Sequence, residues 1–204
     1  MNKQLFYIAD PMCSWCFAFA PLIDRVQQSL AAGVTLRYVL GGLAPDDQQP
    51  MSDETKGYIK SAWQSIEART TTRFNWEYWD VCQPKRSTWP ACRAVLAAGD
   101  RGPEMFAAIQ QAYYLDARDP SNFEVLVEIG AQLGFDPSAF HEAIDSPKAS
   151  AALTQDFELR DKLGARSFPS LGVGQNGQLK LLTSGWIEEA QLLSTLEREG
   201  LLTE

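Results

Sequence analysis

The order of strand-like and helix-like segments constrains the fold of this chain more than any other feature of its sequence. Residues 5–9 form an apolar run rich in aromatic and β-branched side chains, which predicts a buried strand. Apolar residues then recur at helical spacing until Gly33, and residues 34–40 predict a second strand that Gly41 and Gly42 end. Because two strands joined by a helix usually pair in parallel, the first part of the chain predicts a βαβ unit.

The middle of the chain carries few strand signals. From about residue 46 to residue 163, helix start signals dominate the sequence. Ser121 with Glu124 has the pattern of a capping box, and Asp136 and Ser146 each precede a proline, which is typical of N-cap residues. We therefore predict an all-helical insertion of about five or six helices.

The end of the chain predicts two further strands and a helix. Residues 168–173 and 179–182 are strand-like, and the Asn176-Gly177 step between them is typical of a tight hairpin. Residues 187–199 follow at helical spacing. The predicted fold class is therefore α/β, with a βαβ unit and a ββα unit on either side of a helical insertion. The predicted domains are residues 1–45 with residues 164–204, and residues 46–163.

The composition excludes several classes of protein. The chain has 204 residues, of which 45% are hydrophobic, so a disordered chain is excluded. Its 18 basic residues against 26 acidic ones give a net charge of −8, which disfavours binding to nucleic acid or to an anionic membrane. No apolar run approaches the ~20 residues of a membrane span, and no secretory signal is recognisable, so we expect a cytoplasmic protein.

A Cys-x-x-Cys pair, Cys13 and Cys16, lies where the first predicted strand ends and the first helix begins. Unpaired backbone amides and the positive end of the helix dipole favour a thiolate there, so Cys13 is the predicted nucleophile. Cys16 lies one helical turn deeper and can reach back to attack a mixed disulfide formed at Cys13. We therefore expect Cys16 to be the more buried, resolving thiol.

Other interpretations of the cysteines require ligands that the sequence lacks. A Cys-x-x-Cys pair is also half of a four-thiolate zinc site, but Cys82 and Cys92 have nine residues between them and the chain has one histidine, His141. No metal is therefore predicted, and His141 is expected on the surface. Asp10 is expected to shape the turn before Pro11, because a carboxylate near a thiol disfavours the thiolate.

A second candidate motif is Phe168-Pro169, directly before a predicted strand. Proline at the first residue of a strand is often a simple strand opener. A cis proline would instead direct the neighbouring backbone groups towards an extended substrate, which would pair with them as an added strand. The spacing alone leaves both interpretations open.

Three features of the chain carry a family resemblance: the sequence DPMCSWC over residues 10–16, the long helical insertion, and the sequence FPSL over residues 168–171. Together they resemble the DsbA-like thioredoxin-fold family, particularly its cytoplasmic FrnE-like branch, over essentially the whole chain. In that family the first cysteine attacks, the second resolves, and a cis proline lies beside them. The resemblance implies these roles for Cys13, Cys16 and Pro169, within a thioredoxin-like fold.

The resemblance also implies substrate contacts and a redox preference. Phe168 matches the residue before the family's cis proline, which helps to choose substrates, and Ser14 and Trp15 form the dipeptide between the cysteines. With Pro169, these are the expected substrate-binding residues. The family's periplasmic oxidants have proline and histidine in that dipeptide, and the histidine stabilises the thiolate. Without an imidazole, we expect a weaker oxidant that is suited to reduction or isomerisation.

A third segment, residues 86–93, resembles the start of the family's inserted-domain helix that faces the active site. Thr88 is its predicted N-cap, with Pro90 in the first turn. Cys92 would then lie near the catalytic pair and is a candidate for secondary redox chemistry. The alternative is that Cys92 and Cys82 are ordinary buried side chains.

The resulting hypothesis is a protein disulfide oxidoreductase or isomerase that acts on protein or small-molecule disulfides by dithiol–disulfide exchange. It requires no bound cofactor, takes glutathione as a co-substrate or thioredoxin as an electron partner, and leaves a homodimer open. The alternative is a glutathione-dependent isomerase or transferase of the kappa class or of the 2-hydroxychromene-2-carboxylate isomerase type, which generally use a serine near the first cysteine position. A third class is a non-catalytic partner-binding protein with a structural disulfide between Cys13 and Cys16.

Overall fold

The computed structural model describes residues 3–203 as a mixed α/β structure. Within those residues, four strands form one sheet: β1 (Lys3–Ala9), β2 (Val34–Leu40), β3 (Ser170–Gln175) and β4 (Gln178–Ser184). The same part of the chain holds nine α-helices: α1 (Ser14–Gln28), α2 (Asp53–Arg69), α3 (Tyr78–Val81), α4 (Trp89–Ala97), α5 (Gly102–Tyr114), α6 (Phe123–Gln132), α7 (Pro137–Ile144), α8 (Pro147–Leu163) and α9 (Glu189–Arg198).

The strands are ordered β2-β1-β3-β4 across the sheet. Strands β1 and β2 pair in parallel, with Leu5 opposite Leu36, while β3 pairs antiparallel with both β1 and β4. The parallel pair and the antiparallel hairpin belong to the predicted βαβ and ββα units. Both units are confirmed, and so is the long helical stretch that separates them in the sequence.

The hairpin between β3 and β4 turns at Asn176 and Gly177. Both residues have positive φ, 52° and 78°, as the central residues of a type I′ turn require. Asparagine and glycine tolerate this conformation best, which explains why the dipeptide predicted the hairpin. Strand β3 begins at Ser170, two residues later than predicted, because Pro169 has no N–H to donate to a sheet ladder.

The stretch between β2 and β3 holds seven α-helices, α2 to α8, among the described residues, and the prediction of five or six was therefore wrong. Helix α3 is a single turn, Tyr78–Val81, and no side chain caps its start. A helix this short shows no apolar periodicity, and without a cap residue it leaves no start signal in the sequence.

Of the helix starts predicted at Ser121, Asp136 and Ser146, the last two are confirmed and the first is wrong. Asp136 and Ser146 each accept a hydrogen bond from the backbone amide three residues ahead, at 2.9 and 3.1 Å. Helix α6, however, is capped by Asn122 and not by Ser121. The Ser121 hydroxyl donates to the Asp119 carboxylate at 2.7 Å, because a charged acceptor gives the stronger hydrogen bond.

The residue contacts divide the chain into two compact units. The sheet unit consists of the described residues up to Ala9, of Phe19–Gly41, and of the described residues from Asp156 onwards, and it contains the whole sheet. The helical unit consists of Asp10–Ala18 and Gly42–Gln155. The Cys-x-x-Cys segment therefore groups with the helices in this division, and the predicted domain bounds stay a prediction.

The sheet unit has its own apolar core. Strand β1 contributes Phe6 and Ile8 from one face, since alternate residues of a strand point to the same side. Asp156 of α8 is 1% exposed and accepts hydrogen bonds from the Leu40 amide and from Arg37, at 2.9 and 2.8 Å, which fixes the end of β2. The core consists of buried Phe6, Ile8, Val39, Leu163 and Ala165, with partly buried Leu159, Phe168 and Leu181 packed against them.

Candidate active site

The Cys-x-x-Cys motif lies at the N-terminus of α1. The helix begins at Ser14, so Cys13 is in the N-cap position directly before it. The Cys13 carbonyl accepts a hydrogen bond from the Phe17 amide at 3.0 Å, and the Cys13 Sγ accepts one from the Cys16 amide at 3.4 Å. The sulfur thus takes the place of the oxygen of an ordinary N-cap side chain, where the helix dipole favours negative charge.

Cys16 is more buried than Cys13, as predicted, with 0% of its surface exposed against 6%. Burial raises the pKa of the Cys16 thiol well above its ordinary value, and its hydrogen bond and charge interaction with Cys13 raise it further. A backbone hydrogen bond with Asp10 acts in the opposite direction. All four cysteines, each within residues 3–203, are thiols. In this dithiol form, Cys16 is therefore the cysteine of the pair that keeps its proton.

Asp10 is a fully buried carboxylate that the sequence analysis treated only as a turn residue. Its Oδ1 accepts a hydrogen bond from the Met12 amide at 2.8 Å, and its Oδ2 accepts hydrogen bonds from the Leu43 amide at 2.8 Å and from Thr88 Oγ1 at 2.7 Å. Burial raises the pKa of Asp10 above its ordinary value, and the hydrogen bonds that it accepts oppose this rise. Asp10 thereby joins three separate segments of the helical unit.

Thr88 occupies the N-cap position of α4 and Pro90 lies in the first turn, as predicted. Helix α4 has no side-chain N-cap hydrogen bond, because the Thr88 hydroxyl donates to Asp10 and accepts from the Ala44 amide at 3.1 Å. Cys92, one turn into the same helix, is fully buried, and its Sγ lies 3.5 Å from Asp10 Oδ2. A secondary redox role for Cys92 stays a prediction.

The two residues between the cysteines contact different parts of the helical unit. Ser14 Oγ accepts a hydrogen bond from Trp63 Nε1 at 2.9 Å. Trp15 is half-buried, and the guanidinium of the exposed Arg69 lies 5.3 Å from its ring centroid, within cation–π range. An aromatic surface and a positive charge therefore adjoin the cysteine pair. Whether Ser14 and Trp15 bind substrate stays a prediction.

Phe168 and Pro169 lie in the sheet unit, and the peptide bond between them is cis. Pro169 is buried, whereas Phe168 is half-buried and its ring packs against the core of that unit. The ring also lies over Gly41, where an added Cβ would be 2.3 Å from Phe168 Cε1. Gly41 therefore ends β2 and also leaves room for the Phe168 ring, which a side chain at position 41 would clash with. The proposed contacts of Phe168 and Pro169 with substrate stay predictions.

Cys82 and His141 have ordinary environments. Cys82 Sγ donates to the Ala117 carbonyl at 3.2 Å, and burial raises the pKa of Cys82 to about 11. His141 is exposed and its ring centroid lies 4.7 Å from that of Phe123. Residues 3–203 contain no group of three or more His, Cys, Asp or Glu side chains placed to hold a metal ion. Over the same residues, every helix is too short or too polar to span a membrane.

The sheet order, the helix that follows β1 and the Cys-x-x-Cys pair at its start define the class of protein, a thioredoxin-fold protein of the DsbA-like kind. The chain belongs to the thioredoxin family, because the family profile described as Thioredoxin matches residues 6–179. The predicted thioredoxin-like fold and the DsbA-like resemblance are thereby confirmed. The assignment to the FrnE-like branch stays a prediction.

Solved structures support the same class. A candidate protein disulfide isomerase from Nitrosomonas europaea is 29% identical, with a TM-score of 0.85 and 97% of each chain covered. The cytosolic disulfide reductase DsbM from Pseudomonas aeruginosa is 28% identical, with a TM-score of 0.77, over 96% of this chain and 99% of DsbM. The same DsbM has also been solved with GSH, and that structure matches with a TM-score of 0.74.

The chain is also similar in sequence to a different type of protein, an adapter. The ClpXP adapter protein SpxH from Bacillus subtilis is 22% identical over 174 residues, which cover 82% of this chain. The matched segment covers 57% of SpxH, so the chain spans little more than half the length of this relative. A second SpxH, from Halalkalibacterium halodurans, is 18% identical over 175 residues.

Proposed function

We propose that this protein is a thiol–disulfide oxidoreductase whose reacting groups are Cys13 and Cys16. The Cys13 thiolate attacks one sulfur of a substrate disulfide, and the other substrate sulfur leaves as a thiolate. Cys16 then loses its proton and attacks the Cys13 sulfur of the mixed disulfide. The second substrate sulfur leaves as a thiolate, and a Cys13–Cys16 disulfide remains. The substrate gains two electrons and the protein loses two.

The observation that carries this proposal is the asymmetry of the two thiols. Cys13 Sγ lies at the helix N-terminus and accepts the Cys16 N–H, which suits the attacking thiolate. Cys16 is fully buried and its pKa is raised, which suits a thiol that reacts only after a mixed disulfide has formed. A structural cysteine pair would gain nothing from this difference in environment.

The proposed direction is reduction of disulfides in a reducing cytoplasm. The absence of an imidazole between the cysteines is one reason, because less stabilisation of the thiolate makes a weaker oxidant. The similarity to DsbM, which is described as a cytosolic disulfide reductase, is the other. Glutathione is the proposed co-substrate, since DsbM has been solved with GSH, and thioredoxin is the alternative electron partner. No bound cofactor is needed, and disulfide-containing proteins or peptides are the proposed substrates.

Two other functions make distinct predictions. A glutathione-dependent isomerase or transferase would keep its turnover of an aromatic substrate after Cys16→Ala, because that chemistry needs one active-site group. The similarity to SpxH favours an adapter that binds partners without catalysis. An adapter would keep its partners after replacement of both cysteines, whereas the oxidoreductase would release them.

The test of the proposed function is reduction of insulin disulfides with glutathione or dithiothreitol as the reductant. The Cys13→Ser variant should lose at least about 100-fold in rate, because the nucleophile is gone. The Cys16→Ala variant should accumulate mixed disulfides that are visible on a non-reducing gel. Cys82→Ser is the matched control: it removes a thiol that lies outside the motif and should leave the rate unchanged. An inactive wild-type protein, or equal rates for wild type and Cys13→Ser, would overturn the proposal.

A further inference from the structure

A side chain of the helical unit forms a hydrogen bond with Ser14, the first residue of α1. Trp63 on α2 donates its indole N–H to Ser14 Oγ at 2.9 Å, and Ser14 directly follows Cys13. Trp63 is 0% exposed, so water does not compete for this N–H. An indole has one donor and no acceptor, and the hydrogen bond to Ser14 is therefore the whole polar contribution of this side chain.

Trp63 cannot easily adjust its position, because aromatic rings surround it. Its ring stacks on Phe74 with centroids 4.5 Å apart and an interplanar angle of 12°. Tyr114 lies 5.8 Å from the Trp63 ring and itself stacks on Phe17 at 4.6 Å. We call these residues, together with their ring neighbours, the aromatic cluster: Phe17, Trp63, Phe74, Trp76, Tyr78, Trp79, Tyr113 and Tyr114.

The other members of the aromatic cluster contact the first turn of α1 at Ser14 and at Phe17. Trp63 donates its hydrogen bond to Ser14, and Tyr114 stacks on Phe17, whose amide donates to the Cys13 carbonyl. Ser14 and Phe17 lie on either side of Cys16 in the sequence. The cluster therefore fixes the turn whose Cys16 amide faces the Cys13 sulfur at 3.4 Å.

We infer that Trp63 is a positioning residue that sets the dithiol–disulfide equilibrium of the Cys13–Cys16 pair through Ser14. The inference rests on the proposed function and adds to it a residue of the helical unit. A thiolate accepts the Cys16 N–H more strongly than a disulfide sulfur does, because a charged acceptor strengthens a hydrogen bond. A contact that holds the first turn in this geometry consequently stabilises the reduced form more than the oxidised form.

The test is the equilibrium of the cysteine pair in glutathione redox buffers, measured by thiol labelling. Trp63→Phe keeps an aromatic ring and removes the N–H. It should shift the equilibrium about 3-fold towards the disulfide, and by no more than about 10-fold, because the shift cannot exceed the free energy of the one hydrogen bond removed. Ser14→Ala removes the same hydrogen bond from its other end and should give a shift of similar size. The double variant should shift no further than either single variant, because both act through one contact.

Trp79→Phe is the matched control. Trp79 belongs to the same cluster, with its ring centroid 5.2 Å from that of Trp63, but its buried indole N–H has no hydrogen-bond partner among residues 3–203. The same chemical change at Trp79 should therefore leave the equilibrium unchanged. Far-UV circular dichroism checks the fold of each variant, and Ser14→Ala keeps the test available should Trp63→Phe fail to fold.

Three results would overturn the inference: an unchanged equilibrium in Trp63→Phe, a shift of the same size in Trp79→Phe, or a Trp63→Phe shift that persists undiminished in the Ser14→Ala background. None of these results depends on turnover, since the readout is the redox state of the protein's own cysteines. A failure of the proposed function would appear instead in insulin reduction, so the two failures are distinguishable.

Discussion

Replacing Asp10 by asparagine tests whether a buried carboxylate organises the redox site. Asp10 is fully buried, and each of its oxygens accepts a backbone N–H: Oδ1 that of Met12 and Oδ2 that of Leu43, both at 2.8 Å. Asparagine is almost the same size but has one acceptor oxygen and one NH₂ group. In either orientation of the amide, the NH₂ group would face a backbone N–H donor.

The cost of Asp10→Asn follows from that geometry. One buried backbone N–H would lose its acceptor, which costs about 1–3 kcal/mol. Asp10→Ala would leave both amides and the Thr88 hydroxyl without this acceptor, so its cost would be about 3–9 kcal/mol. Because a domain is stable by only about 5–15 kcal/mol, the alanine variant should be close to unfolding and the asparagine variant should fold with reduced stability.

The cost should also depend on pH, because burial raises the pKa of Asp10. A carboxyl group with a raised pKa in the folded state contributes most stability below its unfolded pKa of about 3.9, and this contribution is lost as the pH rises through the folded value. Asparagine does not titrate. The stability difference between wild type and Asp10→Asn should therefore be largest at low pH and should shrink as the pH rises.

The assay is urea unfolding followed by tryptophan fluorescence, with a reductant present so that the cysteines stay thiols. Asp80→Asn, which removes an exposed carboxylate, is the control and should change the free energy of unfolding by less than about 0.5 kcal/mol. If Asp10→Asn is as stable as wild type across the pH range, or if its deficit grows with pH, the assigned role of Asp10 is wrong.

Two further predictions concern packing and thiol reactivity. Gly41→Ala should lower the free energy of unfolding, measured by the same urea unfolding, by about 1–3 kcal/mol, because its Cβ would lie 2.3 Å from the Phe168 ring. Gly57→Ala is the control and should cost nothing, because the space around its Cβ in α2 is open. Cys82 should stay a thiol until the pH approaches its raised pKa of about 11, so its alkylation, followed by peptide mass spectrometry, should keep accelerating with pH up to that value. A rate that levels off near the ordinary thiol pKa of about 8.5 would contradict the burial of this sulfur.

The parts of this fold that the sequence predicts are those specified by neighbouring residues. The apolar run at residues 5–9, the break at Gly41 and the Asn176-Gly177 step each act within a few positions, and each lies where the structure has the corresponding strand or turn. The placement of Cys13 at the start of a helix is local in the same sense, because it needs only the end of β1 and the periodicity of α1. The short helix α3 was missed because its four residues show no periodicity and no side chain caps its start.

The supports of the redox site were missed because their partners are distant in the sequence. Asp10 bonds to residues 33 and 78 positions away, and Trp63 bonds to Ser14 across 49 positions. Asp10 has a sufficient local explanation as the residue before a proline turn, and Thr88 has one as a helix cap. In the structure these two side chains bond to each other, at 2.7 Å, and neither local explanation describes the dominant contact.

The hydrogen bond between Asp10 and Thr88 shows why the Cys-x-x-Cys motif alone does not predict the chemistry of the site. At the start of a helix, the Cys-x-x-Cys spacing brings one sulfur to the helix N-terminus and the other one turn deeper, in any chain that places the motif there. What differs among such chains is the surrounding set of groups, here the buried carboxylate of Asp10 and the indole N–H of Trp63. Both groups act on the same short turn, one from the segment before Cys13 and one through Ser14. If the equilibrium of the cysteine pair responds to changes at these positions while the Trp79→Phe variant leaves it unaltered, its redox preference is a property of the residues around the motif as much as of the motif itself.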